Sequence, residues 1–416
     1  MTLKRKSAGA VMLFLVLFII SAFVLLSLKD GVFDAKTIVF GGVFALYVLV
    51  QYNLLSAGFR HFDRFVLLAA QVLYSIGMVV IYRISPSLAL KQFMFLLLGS
   101  VLMVPVIHII KKSSGFGRLN WVFMGLSLAM LAGTLVFGRT VGGARNWIYV
   151  GPFSLQPSEF AKILFVIVSA HFLSTRNRLV SFIPYVVYTG ICLIVQVLAK
   201  DLGSTLLIGL TFMIMFYTAT GRIFTTLAGV GVLGAGAVAS YHLFSHVRTR
   251  VMIWQDPWAY YNGSGYQIVQ GLLALAAGGL LGVGLGCGMP SVIPAAQTDY
   301  IFTVIGEEFG IIVGVMVIAF YIVFIFRGMI IARDTDNSFD GILVFGCTAM
   351  LALQSFIIIG GVIKLIPLTG ITLPFISYGG SSLTSSLIMV GIIEGVAIKN
   401  GMRDEKEIDE MGGVAD

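Results

Sequence analysis

Charge is scarce in this chain. Asp, Glu, Lys and Arg make up 11% of its 416 residues, against roughly 25% in a soluble globular protein. With 58% hydrophobic residues and a mean hydropathy of +0.99, that scarcity excludes an ordinary soluble fold. Cysteine is scarce as well. Cys192, Cys287 and Cys347 are too few and too scattered for a disulfide framework or a thiolate metal site. No CxxC, HExxH, Walker A or GxSxG pattern occurs, which removes the chemistries those motifs carry. His61, His108, His171, His242 and His246 show no ligand spacing and receive no role.

What the chain has is long apolar runs. They recur near the roughly 20 residues needed to cross a bilayer, and backbone groups in lipid need partners within their own segment. The fold class predicted is an all-α polytopic membrane protein with about 12 transmembrane helices. The spans fall near residues 8–28, 37–56, 65–82, 92–110, 119–137, 158–174, 180–199, 203–220, 223–243, 303–326, 341–363 and 377–398. The first, after Lys4, Arg5 and Lys6, is too long for a signal-peptide core. The net charge of +8 reads as topology. More Lys and Arg fall in the loops on the side of the two termini, which the positive-inside rule places in the cytoplasm. No nucleic-acid partner is expected.

The cytoplasmic loops are short, and the polar tail 400–416 is expected to be disordered. The opposite side carries three longer segments, near residues 138–157, 244–302 and 364–376. Loops beyond about 12–15 residues are usually functional or disordered. The second holds Trp254, Trp258, Tyr260, Tyr261 and Tyr266, then a glycine-rich apolar stretch, 268–285, read as a re-entrant or surface-lying helix.

The polar residues of these segments are the candidate site. Asp299, in Gln297-Thr298-Asp299-Tyr300-Ile301-Phe302, stands at the mouth of an apolar helix, with Glu307 and Glu308 one to two turns deeper. A carboxylate at a membrane boundary is costly to desolvate and usually functional. Asp299 fits either a helix N-cap or a general base of raised pKa. Only one of Glu307 and Glu308 is expected to face the bundle interior. Glu159 and Lys162, three apart after Pro157-Ser158, share a helix face and fit an ion pair at a helix start or the wall of a polar cavity. Lys200 and Asp201 fit a turn with a helix cap, or a pair with a neighbouring arginine. Arg248 and Arg250 suit an anionic ligand such as a lipid pyrophosphate, or lipid headgroups. Ser377, Gly379, Gly380 and Ser381 begin a serine-rich helix whose free N–H groups can meet an anion, or form a tight small-residue turn.

Taken in order, GGARNWIYVGPFSLQPSEFAK, KDLGST, the Arg248-Thr249-Arg250…Asp256-Pro257 loop, QTDYIFTVIGEEFG and PLTGITLPFISYGGSS resemble the SEDS family, the cell-wall glycosyltransferases that include RodA, FtsW and SpoVE. The resemblance covers roughly residues 138–399. It implies a peptidoglycan polymerase of the bacterial cytoplasmic membrane, which joins disaccharide-peptide units from lipid II on the outer face. By the same resemblance Asp299 is the essential acid. Glu159 and Lys162 line the central cavity. Arg145, Trp147, Lys200, Asp201, Arg248, Arg250, Ser377, Gly379, Gly380 and Ser381 bind substrate. A divalent cation, Mg or Mn, is a possible aid at the leaving pyrophosphate, with no metal ligands assigned. The implied partner is a class B penicillin-binding protein.

The chain departs from the family pattern in four places. Five spans precede the Pro-Ser-Glu motif where the family has three, so 1–56 is read as an extra N-terminal pair, 57–399 as the core and 400–416 as the tail. Tyr300 replaces the commoner phenylalanine, Asn146 stands where a second arginine is common, and Lys364 adds a cation. The competing readings are a lipid II flippase and a scaffold of the elongation, division or sporulation machinery. A flippase needs polar groups through the membrane depth, whereas the unusual charges here cluster toward one side.

Overall fold

The computed structural model describes residues 2–28, 33–113, 115–141, 144–151, 153–175 and 179–412. Gly142, Gly143 and Pro152 of the loop motifs, Arg176 and Arg178 of the charge pattern, and the last four tail residues lie outside them. The elements in chain order are α1 (Thr2–Ser27), α2 (Ala35–Gly58), α3 (Arg64–Ile84), α4 (Pro86–Lys112), α5 (Leu119–Phe137), β1 (Arg139–Val141), β2 (Ala144–Val150), β3 (Phe153–Leu155), α6 (Pro157–Thr175), α7 (Ile183–Leu198), α8 (Leu202–Thr220), α9 (Ile223–Leu243), α10 (Ser245–Gln255), α11 (Tyr266–Gly278), α12 (Ile301–Arg333), α13 (Ser338–Val362) and α14 (Gly380–Gly412). Among the described residues, eleven helices are long and apolar enough to cross a membrane. Each of the twelve expected spans coincides with a helix. The twelfth is α7, which at 16 residues is shorter than the rest and packs between α5 and α8.

The helix boundaries follow from their caps. Asp34, Asp63, Asp201 and Asn337 stand at helix N-caps, and their side-chain oxygens accept the free backbone N–H groups of the first turns. Pro86 and Pro157 open α4 and α6, where a missing N–H costs nothing. The bundle is built around α3, whose residues are buried almost all round, together with α6, α13 and the first part of α14. A helix hydrophobic on every face belongs in such a core. At the periphery, α9 buries no residue.

The N-terminal pair α1–α2 packs against α3 and is fastened to it by a polar seam. Gln71 Nε2 and the Tyr74 hydroxyl both donate to Gln51 Oε1, at 2.9 and 2.6 Å. Gln51 Nε2 in turn donates to Ser100 Oγ at 2.8 Å. In lipid, where apolar surface gains nothing by leaving water, such interhelical bonds add to van der Waals packing in holding helices together.

Two segments differ from the sequence reading. The tail is helical to Gly412 because the end of α14 is tied down rather than free. Glu405 pairs with Arg60 and His61, and Asn400 donates to the Ile331 carbonyl and to Thr335. The 138–157 loop is a small antiparallel sheet in the order β1-β2-β3, with Thr140 opposite Arg145 and Ile148 opposite Leu155. Of the two expected forms of the glycine-rich stretch, re-entrant or surface-lying, its path along α12 matches the re-entrant one. At 13 residues α11 is too short to cross. It runs down against α12, and the chain then returns along α12 to residue 289.

Candidate active site

A cavity of about 350 Å³ opens at the end of the bundle opposite the tail. Its walls come from β2, the starts of α6 and α14, the α7–α8 turn, α10, the turn before α12 and the 369–372 segment. Each wall has a local cause. Ala295 and Phe375 take left-handed backbone conformations, with φ of 55° and 66°, and so reverse the chain on both sides of Thr298. The Ser377 hydroxyl donates to Thr298 O at 2.6 Å and Tyr378 N donates to Gln297 O at 2.8 Å. Gln92 of α4 then grips the same turn from behind, donating to Ser377 O and accepting from Gly379 N.

Asp299 lies on this turn, half-buried and facing the cavity. Its side chain caps no helix; the N-cap of α12 is Tyr300, which makes no side-chain cap bond. Burial pushes the Asp299 carboxyl up to about 6, against the lowering effects of the Thr298 hydroxyl and the Arg250 charge. Arg250 Nη1 donates to Leu368 O at 3.1 Å, which holds the guanidinium over Gly370 beside Asp299. Lys200 is exposed at the cavity rim, with a left-handed backbone (φ 59°) at the α7–α8 turn. The field between these cations reaches His246, whose imidazole is lowered first by burial and then by Arg250 and Lys200.

The other carboxylates of the cavity are already satisfied. Glu159 Oε2 lies 2.9 Å from Lys162 Nζ and accepts from Ser385 Oγ at 2.9 Å. Lys162 also donates to Gln354 Oε1 at 3.0 Å, and Gln354 Nε2 reaches the Thr372 carbonyl at 2.9 Å. The buried pair therefore braces the cavity wall through Gln354. Asp201 caps α8 at Ser204 and accepts from Asn146 Nδ2 at 2.8 Å. Asn146, which stands where a second arginine is common in the family, completes the shell of Asp201. The uncommitted charges facing the cavity are then Asp299, Arg250 and Lys200. One carboxylate beside two cations suits proton abstraction next to a developing phosphate charge.

The structure does not bring every candidate to the cavity. Trp147, Glu159, Lys200, Asp201, Arg250, Gly379 and Gly380 line it, whereas Lys162 is buried behind Glu159. Ser377 and Ser381 are buried braces: Ser381 Oγ accepts from Gln156 N at 3.0 Å. Arg145 is exposed and its guanidinium caps α5, donating to Gly138 O and Val136 O at 2.9 and 3.2 Å. Arg248 is exposed on the other face of α10, against the Tyr241 ring and the His242 carbonyl. Glu307 and Glu308 are both buried, and both find partners in the return segment after α11. Gln92 and Gln354 were not singled out from sequence. Their signal was a buried amide within an apolar span, which lipid penalises.

The described residues contain no group of three or more His, Cys, Asp or Glu side chains placed to hold a metal ion. A family model described as "Cell cycle protein", covering FtsW, RodA and SpoVE, matches residues 54–401. This chain belongs to that family. It is 35% identical over 371 residues to the peptidoglycan glycosyltransferase RodA of Mycobacterium tuberculosis strain H37Rv, covering 82% of this chain and 78% of that one. It is 33% identical to the stage V sporulation protein E of Bacillus subtilis, covering 80% and 96%. Among solved structures, a chain of a peptidoglycan synthase complex that coordinates polymerization and crosslinking superposes with a TM-score of 0.69 at 25% identity, covering 82% and 98%. The RodA of Thermus thermophilus superposes with a TM-score of 0.60 at 25% identity, covering 81% and 96%. The family match begins within α2, so α1 lies outside it.

Proposed function

We propose that this protein is a peptidoglycan glycosyltransferase that polymerises lipid II on the outer face of the bacterial cytoplasmic membrane, with both termini in the cytoplasm. The observation that carries the reading is the pairing of Asp299 with Arg250 and Lys200 in one cavity, in a chain whose relatives are named for this activity. Asp299 takes the proton from the acceptor sugar hydroxyl as its oxygen attacks the anomeric carbon of the donor. The bond from that carbon to the lipid pyrophosphate breaks, and the leaving charge is met by Arg250 and Lys200. A carboxyl raised to about 6 is deprotonated at neutral pH yet basic enough to accept that proton.

A divalent cation fits only as a guest of the substrate. Mg typically binds one or two carboxylates together with substrate phosphates, and Asp299 is the uncommitted carboxylate facing the cavity. The solved synthase complex that resembles this chain supports a class B penicillin-binding protein as the partner for cross-linking.

The test is lipid II polymerisation by the purified protein, alone and with such a partner, for wild type and Asp299→Asn. The expected result is glycan strands from wild type and a loss of about 10²- to 10⁴-fold in the variant, the range for removing a general base. Strands from both proteins would remove Asp299 as the base. Strands from neither, with partner and divalent cation present, would favour a flippase or a scaffold.

A further inference from the structure

α12 is two helices laid end to end. At Gly310 the backbone turns to φ 81° and ψ 174°, separating a half-helix, 301–309, from the long remainder. The return segment after α11 fills the break. The N–H groups of Val283 and Gly284 donate to the freed carbonyls of Glu307 and Glu308 at 2.9 and 3.0 Å. The N–H groups of Ile311 and Ile312 donate to Gly279 O and Leu280 O at 2.9 and 3.3 Å. Irregular backbone at membrane depth is tolerated only when protein satisfies it in this way.

Side chains then lock the joint. Glu308 Oε2 accepts from Gly286 N and Glu307 Oε1 from Met289 N, each at 3.1 Å. Arg83, in the last turn of α3, donates through Nη2 to Gly286 O at 2.9 Å and Gly288 O at 3.1 Å. Its Nε lies 3.2 Å from Glu308 Oε1, which is fully buried. One arginine thus ties α3, the return segment and the far end of the half-helix together. The near end of that half-helix follows Asp299 by two residues. Its nine residues make a rigid lever of about 13 Å. Arg83 does not line the cavity, so it acts at a distance.

The N-terminal pair backs this joint. The Thr37 and Tyr82 hydroxyls lie 2.9 Å apart, the Phe23 ring meets the Tyr82 ring edge-on at 5.2 Å, and Phe18 of α1 meets Phe309 at 6.4 Å. The sequence neighbours of Arg83 and of Gly310 are therefore both held by α1 and α2.

We propose that Arg83 and Glu308 are positioning residues for polymerisation, locking the half-helix 301–309 so that Asp299 is held at the height of the acceptor hydroxyl. The proposal rests on the polymerase reading. A misplacement of about 1 Å can cost on the order of 10²-fold in rate, and it does so without weakening contacts made by distant parts of the substrate.

The test is steady-state lipid II polymerisation by the full-length protein with Arg83→Ala, Arg83→Lys, Glu308→Gln and the Arg83→Ala/Glu308→Gln double variant. Lipid II bound per protein is measured in parallel to count competent sites. The expected result is a kcat about 10- to 100-fold lower for Arg83→Ala, with KM and bound lipid II close to wild type. Arg83→Lys recovers part of the loss, and the double variant is no worse than the poorer single one. If Arg83→Ala does not fold, Glu308→Gln alone carries the test. Unchanged kcat would overturn the proposal, as would a loss matched by an equal loss of binding sites. If wild type makes no glycan, the polymerase reading fails and takes this inference with it.

Discussion

At the scale of single residues, the cavity assigns opposite fates to two arginines that the sequence could not separate. Arg248 and Arg250 looked equivalent while their segment read as a loop. In α10 they are two positions apart, which on a helix places them on nearly opposite faces. Arg145 failed for the matching reason in a strand, where successive side chains alternate: Asn146 is buried and Arg145 exposed. Arg250→Ala is therefore expected to lower kcat by about 10²- to 10³-fold, the cost of one transition-state donor, while Arg248→Ala stays within a few-fold of wild type; a glycan-strand assay separates them. The pH dependence of the same assay reports Asp299. The base works deprotonated, and burial lifts its pKa from an ordinary value near 3.9 to about 6. Activity should then fall through pH 6 on acidification, to about a tenth one unit lower. A limb near pH 4 would mean that the working carboxylate is solvated and is not the one described.

At the scale of elements, the helices were legible because each span carries its own signal: about 20 apolar residues between charged or capped ends. What was not legible is where two elements satisfy one another. The interruption of α12 is one case. Its sequence reads as an unbroken apolar helix, and the break exists only because the return segment offers N–H and C=O groups to fill it. The order of the tail is another, since a polar helix shows no periodic apolar face and is held by partners on other loops. Gly310 is the residue on which the first case turns. Its φ and ψ lie in a region essentially reserved for glycine, and a Cβ there would stand 2.6 Å from the Leu280 carbonyl carbon. Gly310→Ala is expected to destabilise the protein by at least about 1–3 kcal/mol, seen as a lower melting temperature in detergent. An alanine at Gly231, where a Cβ meets nothing within 4 Å, is the control and should leave the melting temperature unchanged or slightly higher.

At the scale of the whole molecule, the reading depends on sidedness. Polymerisation outside the cell requires the Asp299 cavity to face away from the cytoplasm. The basic residues at the tail end of the bundle, among them Arg60, Arg64, Arg327 and Arg333, face the opposite way, as the positive-inside rule asks. The structure itself supplies a quiet background for a direct measurement. Cys192 and Cys347 are buried, and Cys287 is the exposed cysteine among the three. In a Cys287→Ser background, Asn262→Cys and Glu410→Cys place one exposed thiol at each end of the bundle. A membrane-impermeant maleimide added to intact cells with their envelope opened to the reagent should label position 262 and leave 410 untouched until the membrane is permeabilised. The reverse pattern would put the carboxylate and its two cations on the cytoplasmic face. Polymerisation on the outer face would then contradict the proposed role of Asp299, which requires the glycosidic bond to form beside it. Labelling of both positions in intact cells would mean a leaky membrane, which a buried cytoplasmic control protein reports in the same experiment.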